Sequence, residues 1–371
     1  MTTAPQGCKH SLMDNLAEIL KVDTQNVERS LRNFRREELA YRQKPSTLRV
    51  LVDASPRVLI LVAAYAGAVL MTAPYSYIAA VLFGVETASI MASWFHDGIH
   101  IERSKRPWYI RVMIRVASAP LGISPLWWAY KHVLLHHKYV GQADKDPDIQ
   151  FGWLLRVSVD QPWKPTHRFQ HIYVWLLYPF ASFNMLKPGE IYQSRYLEQR
   201  TGHHFQTSMS RCLFDKYLPF VVAWTPIAIT QGYRTLLIFV IYQAVAGSLT
   251  AVVSQVQHNT LKTLDNYDIP YDAPLSRQVF LSNDVASKSG IWQWISGGVN
   301  FHAIHHLIPS LSLLETPNST ARLRAFLCED GLDVPTHSGI VPAFLSHVRL
   351  LHHLSKPSAA VSPSELLQEE V

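Results

Sequence analysis

His96-Asp97-Gly98-Ile99-His100 stands at the end of an apolar run that begins at Arg57, reaches Trp94 and is broken once, at Ala73-Pro74-Tyr75. Each half of the run is about 17–20 residues, enough to cross a hydrocarbon core of roughly 30 Å as a helix. The sequence predicts a helical hairpin here: one span near 57–73, a turn at Pro74, and a return span near 75–95. That return span would deliver His96 and His100 to the membrane surface. Further along, a second apolar pair lies near 216–231 and 235–256, around the turn Gln231-Gly232-Tyr233-Arg234, and His258 follows its end just as His96 follows the first. Pro219 and Pro226 interrupt the third of these spans.

Composition agrees with a membrane protein. Of 371 residues, 48% are hydrophobic and 17% are charged, against roughly 25% charged in soluble domains. The expected fold is all-α, with four transmembrane helices in two hairpins beneath a histidine-rich cap. Residues 1–56, 96–215 and those after 256 would share one side. The two turns on the other side carry a single basic residue, Arg234, so the positive-inside rule makes the large side cytosolic. The net charge of +6, with its basic residues in the N-terminal arm and central loop, suits anionic lipid headgroups and not nucleic acid. Cys8, Cys212 and Cys328 lie far apart without CxxC spacing, which argues against a disulfide framework or a Cys-rich zinc site.

Three regions are expected: an amphipathic arm over 1–55, a membrane domain over 56–315, and a segment over 316–371 whose Ser/Pro/Glu-rich tail reads as disordered. The arm is polar, unlike a signal peptide. It predicts two short helices, from Leu12, Leu16, Ile19 and Leu20 and then Val27, Leu31, Phe34 and Leu39. The second is crowded with arginines, so it is either a membrane-surface anchor or a solvated basic helix. Segments 107–128 and 171–186 are aromatic and broken, suited to the interface. Glu86, inside the second span, is expected to face an active-site tunnel or to pair with a partner helix, most simply through an interhelical hydrogen bond.

The chemistry is carried by histidines. His96/His100, His132/His136/His137, His258 and His302/His305/His306 are nine of the chain's 18. On a helix, positions i and i+4 share a face, so His96/His100 and His132/His136 can each grip one metal ion, with His137 turned toward a second. Nine ligands exceed the roughly four of a single zinc site and suit two ions. Spacing alone does not name the metal. Nearly pure imidazole beside a lipid phase favours iron and oxygen chemistry over two-metal hydrolysis.

The HxxxH, HxxxHH and HxxHH boxes, in this order around two pairs of spans, resemble the membrane fatty acid desaturase family over roughly residues 57–315. Trp127-Trp128, Asp146-Pro147-Asp148 and His305-His306-Leu307-Ile308-Pro309 strengthen the likeness. The resemblance implies a non-haem diiron centre held by His96, His100, His132, His136, His137, His258, His302, His305 and His306. It also implies O2 as co-substrate and desaturation of a fatty acyl or related lipid chain, with hydroxylase, acetylenase or epoxidase chemistry as alternatives on the same scaffold. The family would place the protein in the endoplasmic reticulum or a bacterial inner membrane. No HPGG haem-binding motif occurs, so electrons are expected from a separate donor of cytochrome b5 or ferredoxin type.

This sequence departs from the pattern in three places. Three residues precede the His136-His137 pair where many members have two. His302 stands where front-end desaturases usually carry Gln. Ser254 stands where acyl-CoA desaturases place Asn. Asp97 is familial and its neighbour Gly98 is unremarkable by sequence. Asp97, Asp144, Asp146 and Asp148 are candidates to orient the imidazoles, and Trp127, Trp128, Trp292 or Trp294 to line an acyl tunnel. His167/His171, His203-His204, His347 and His352-His353 imitate the boxes, but none of them abuts a span end. The rival of another class is a lipid-binding protein that keeps its histidines structurally; it predicts no iron and no oxygen dependence.

Overall fold

The computed structural model describes residues 16–264 and 268–357. Leu12, Cys8 and the expected disordered tail lie outside these. Helix α1 is Leu16–Ala40 and α2 is Thr47–Leu70. After a turn comes α3, Tyr75–His100; the second hairpin pairs α6, Met209–Gln231, with α7, Arg234–His258. Between the hairpins lie α4, Trp108–Leu121, and the short α5, Pro125–Trp128.

Four helices, α2, α3, α6 and α7, are long and apolar enough to cross a membrane. Ser46 caps α2 by accepting from the Arg49 amide, so this helix starts earlier than the apolar run alone suggested. Pro219 and Pro226 stay inside an unbroken α6, as proline can in membrane helices. Leu59, Val62 and Leu70 of α2, Val221, Val222 and Ile229 of α6, and Leu236 and Leu237 of α7 face outward. An apolar belt of that extent suits lipid, not water.

Two of the charges inside the spans meet the loop that leads to the third box. Glu86 accepts from Trp294 Nε1 at 2.9 Å. Arg57 donates to the Trp294 carbonyl at 2.6 Å and stacks over its ring, 4.1 Å from the centroid. The expected hydrogen bond of Glu86 thus exists, with the Gly290–Ile295 helix as partner.

Two contacts set where α3 ends. Its last turns pass through a π-helical stretch, Met91–Phe95. Gly297, at φ 63°, comes so close that a Cβ there would lie 2.5 Å from the Ser93 amide nitrogen. Gly98 is the second contact, and it corrects the sequence reading. A Cβ at Gly98 would meet Ile110 Cγ2 at 2.7 Å and Ile114 Cδ1 at 3.0 Å, so α4 lies directly across the first box. The helices Gln170–Leu177 and Ala181–Leu186 lean on α7, with Ser182 donating to the Gln243 carbonyl at 2.7 Å.

The remaining elements form the cap: α8, Pro274–Phe280, α9, His302–Leu307, α10, Thr316–Glu329, and α11, Ile340–His353. A two-residue parallel strand pair, Asp284–Val285 with Thr336–His337, ties them together. The arm is one helix over its described part, not two. It is neither solvated nor laid on a membrane along its apolar face: Val27, Leu31 and Phe34 are buried with Phe280, Leu323 and Leu327. Glu28 accepts from the amides of Leu275 and Ser276, both at 3.0 Å, and Arg42 forks onto Glu315 at 2.8 Å. Cys212 is buried, its thiol donating to Ser124 Oγ at 3.3 Å, and Cys328 is disulfide-bonded.

Candidate metal centre

Four segments bring rings to one place. α3 ends on His96 and His100, and α7 ends on His258. The second box rides on a π-helix, Ala129–His136, that continues α5. The third box is α9, pinned at its start by Asp284, which accepts from the Ala303 amide at 3.3 Å.

The nine rings divide in two. His96, His100, His132, His137 and His305 offer ligand nitrogens that all lie within 4.8 Å of one another, and so do His136, His258 and His306. His302 joins the second set, its Nε2 lying 2.7 Å from that of His258 and 3.1 Å from that of His306. In the first set the Nε2 atoms of His96 and His132 are 2.8 Å apart, and those of His305 and His137 are 3.2 Å apart.

The second box contributes to both groups. His132 and His136, four apart, come together on the side of Asp148, but their Nε2 atoms turn to different groups, and His137 joins His132 with Nε2 atoms 3.3 Å apart. The cause is the π-helix, whose i→i+5 bonding widens each turn and so brings position i+5 onto the face that i+4 takes in an α-helix. The His137 amide donates to the His132 carbonyl at 3.1 Å, which is that bond. The third box is divided likewise: His305 serves the first group, His302 and His306 the second.

The donor set fits metal ions. A neutral imidazole carries one N–H, so two facing ring nitrogens can share a hydrogen, but five crowded ones cannot all do so. The rings are buried apart from partial exposure at His100 and His258, and charging them is costly. Burial first, and then the neighbouring rings, push His137, His302, His305 and His306 well below the usual imidazole range. Ring nitrogens gathered in this way could hold metal ions.

Outer partners fix several of the rings. His258 Nδ1 faces the Leu281 carbonyl at 2.9 Å, and His302 Nδ1 the Val299 carbonyl at 3.2 Å. His136 Nδ1 lies 2.9 Å from Asp146, which also accepts from the amides of Gly141 and Asp148, both at 2.9 Å. Asp148 lies 3.5 Å from His132 Nδ1 and 3.7 Å from His136 Nδ1, and pairs with Lys131 at 2.5 Å. Burial lowers the pKa of His136, but Asp146 and Asp148 outweigh it and hold the ring above its ordinary value. Burial lowers His132 as well, and Asp148 offsets that only in part. The other two candidate acids do not serve: Asp144 faces Arg200 at the surface, 3.8 Å away, and Asp97 accepts from the Leu313 amide at 2.6 Å.

Sequence reasoning missed Lys131, which buttresses Asp148, and the two carbonyls, which have no side-chain signature. Of the four tryptophans, Trp128 borders the rings, its centroid 6.0 Å from that of His132. Trp127 packs on Tyr130 and Phe205, and Trp292 belongs to the core around Val253 and Val256. The imitating histidines stand in neither group. His171 and His352 face each other at 3.4 Å, Lys138 meets His203 at 3.0 Å, and His347 is held by the Asn259 carbonyl at 2.6 Å and by Tyr178 Oη.

The fatty acid desaturase family model matches residues 72–336, and the chain belongs to that family, an oxidoreductase acting on fatty acyl chains. Among curated relatives it is 24% identical over 286 residues to the sn-1 linoleoyl-lipid 6-desaturase of Arthrospira platensis, covering 74% of this chain and 76% of the relative. The enzyme of the same name from Synechocystis is 23% identical over 296 residues, 77% of this chain and 82% of the relative. The acyl-lipid (8-3)-desaturase of Mortierella alpina is 24% identical over 291 residues, 74% of this chain and 64% of the relative.

Proposed function

We propose that this protein is an oxygen-dependent acyl-lipid desaturase. His96, His100, His132, His137 and His305 would hold one iron ion, and His136, His258, His302 and His306 the other. The observation that carries this reading is the convergence of nine imidazoles into two adjoining groups beside the ends of two membrane-capable helices. Acyl-lipid desaturation is what the names of the similar relatives report for those proteins, and it comes to this chain as part of the proposal. Iron held there would supply the oxidising power, drawn from O2 with two electrons and two protons, for removing two hydrogens from an unactivated chain.

The protein's own part is placement. Asp146, Asp148 and the Leu281 and Val299 carbonyls hold imidazole edges so that the opposite nitrogens face inward. Gly98 lets α4 close over the first box, and Gly297 lets the third-box loop reach α3, which together shield the rings from water. The two hairpins and the single basic turn residue Arg234 support a multi-pass topology with the rings on the cytosolic side. It places the site where a separate donor of cytochrome b5 or ferredoxin type can reach it.

Elemental analysis of active, purified protein tests the metal assignment. Two iron atoms per chain are expected, one for each imidazole group. Full activity with stoichiometric zinc and no iron would refute it.

A further inference from the structure

A cavity of about 630 Å³ opens beside the first box, away from the two ring groups, and is lined by Arg103, Arg106, Arg111 and Arg115 together with Glu102 and Asp215. Both carboxylates are already engaged. Asp215 pairs with Arg115, and Glu102 with Lys105 at 2.5 Å. Among the described residues, no carboxylate forms an ion pair with Arg103, Arg106 or Arg111, so three guanidiniums face one space without counter-charge. Arg106 is the most constrained: it donates to the carbonyls of Ile101 at 2.9 Å and Ile99 at 3.0 Å. Burial, and then the charges of Arg103 and Arg111, lower its pKa from the ordinary value. Like charges gathered in this way are stabilised by an anion, and guanidinium forks match the oxygens of phosphate.

The rest of the lining is apolar: Ile114, Pro125 and Leu126. Ile114 is also the residue against which Gly98 packs, so one wall of the cavity is shared with the helix turn that carries His96 and His100. The volume falls within the roughly 300–1,000 Å³ of small-molecule sites. A basic, half-apolar chamber at the end of a membrane-capable helix suits an amphipathic ester, anionic at one end and hydrocarbon at the other.

We propose that this cavity seats the phosphate group of a phosphate-bearing acyl substrate, so that headgroup capture by Arg103, Arg106 and Arg111 registers the chain against the ring groups. The proposal rests on the desaturase reading and adds the substrate class to it. The phosphate could come from a membrane phosphoglyceride or from a soluble acyl-CoA.

The experiment measures binding, without turnover, to full-length iron-loaded protein in neutral detergent. The probes are a short-chain phosphatidylglycerol, the same diacylglycerol bearing a neutral sugar, an acyl-CoA, and inorganic phosphate. The variants are Arg103→Gln/Arg111→Gln and the single exposed change Arg103→Glu, chosen because Arg106 also holds α3. Wild type should bind a phosphate-bearing acyl probe at least roughly 10-fold more tightly than the sugar lipid, a difference of the size of one charge-assisted contact. The variants should lose that preference while binding the sugar lipid like wild type. Preference for phosphatidylglycerol assigns the source to membrane lipid, and preference for acyl-CoA to the soluble thioester. Equal affinity for the charged and neutral lipids, equal loss of both in the variants, or capture of inorganic phosphate only would overturn the proposal. Because no product is scored, these outcomes are separate from failure of the desaturase reading, which would appear as lipid bound but never desaturated.

Discussion

His137 lies against His132, five residues earlier, with their Nε2 atoms 3.3 Å apart, while His136 turns to His258 at 3.2 Å. One turn of π-helix thereby divides a single histidine box between two ring groups. Paired substitutions should expose the division. His132→Ala/His137→Ala, both within one group, should leave about one iron per chain, because the second group keeps all its rings. His132→Ala/His136→Ala breaks both groups and should leave almost none. Iron quantification of the two purified variants would contradict the grouping if the pattern were reversed.

Asp146 orients His136 and Asp144 does not. Asp146→Asn keeps the shape but weakens the acceptor, and loss of such an outer partner costs about 10–100-fold in metal affinity. Chelator titration should show that loss in Asp146→Asn and no change in Asp144→Asn, whose side chain faces Arg200 at the surface.

Gly98→Ala would push a methyl group into Ile110. Overpacking of this kind costs about 1–3 kcal/mol and would displace the first box, so activity should fall more than stability. Gly98→Ala/Ile110→Ala should regain activity in a lipid turnover assay. If the single variant were fully active, the account of α4 closing over the box would be wrong.

The membrane-capable helices were legible because apolar runs of spanning length have few other uses, and Pro74 and Gly232 mark the turns between them. The nine rings were legible as a set, since each box abuts a span end or sits on a short helix. Their division was not legible: an α-helical period assigns His136 to His132, and nothing in Ala129–His136 announces a π-helix. The docking of α1 was also hidden. Its arginines suggested a lipid or water face, yet Glu28 and Glu38, within the same helix, bind the far end of the chain. Gly98 looked ordinary because close packing is a property of what lies opposite. The basic cavity gathers residues from α4, α6 and the loop after α3, a proximity that sequence order does not encode.

His347 is structural, and its protonation should appear in stability. Burial holds its pKa down to about 4, against about 6.5 in the unfolded chain. A depressed folded pKa means that its contribution is fully present above pH 6.5 and is lost as pH falls from there through 4, by about 1.4 kcal/mol per unit for one proton. His347→Gln should therefore melt lower than wild type at pH 7.5 and show a shallower decline between pH 6.5 and 4. Parallel declines in thermal denaturation would contradict the assignment.

The reaction itself is settled most directly by incubating the iron-loaded protein with acyl lipid, an electron-donating system and ¹⁸O2, and weighing the lipid product. Desaturation and hydroxylation share the first hydrogen removal and differ in whether a second hydrogen leaves or oxygen is added. Placement differences of about 1 Å can decide such a partition. The account predicts an unlabelled product two hydrogens lighter than the substrate. A main product carrying ¹⁸O in the lipid would contradict it.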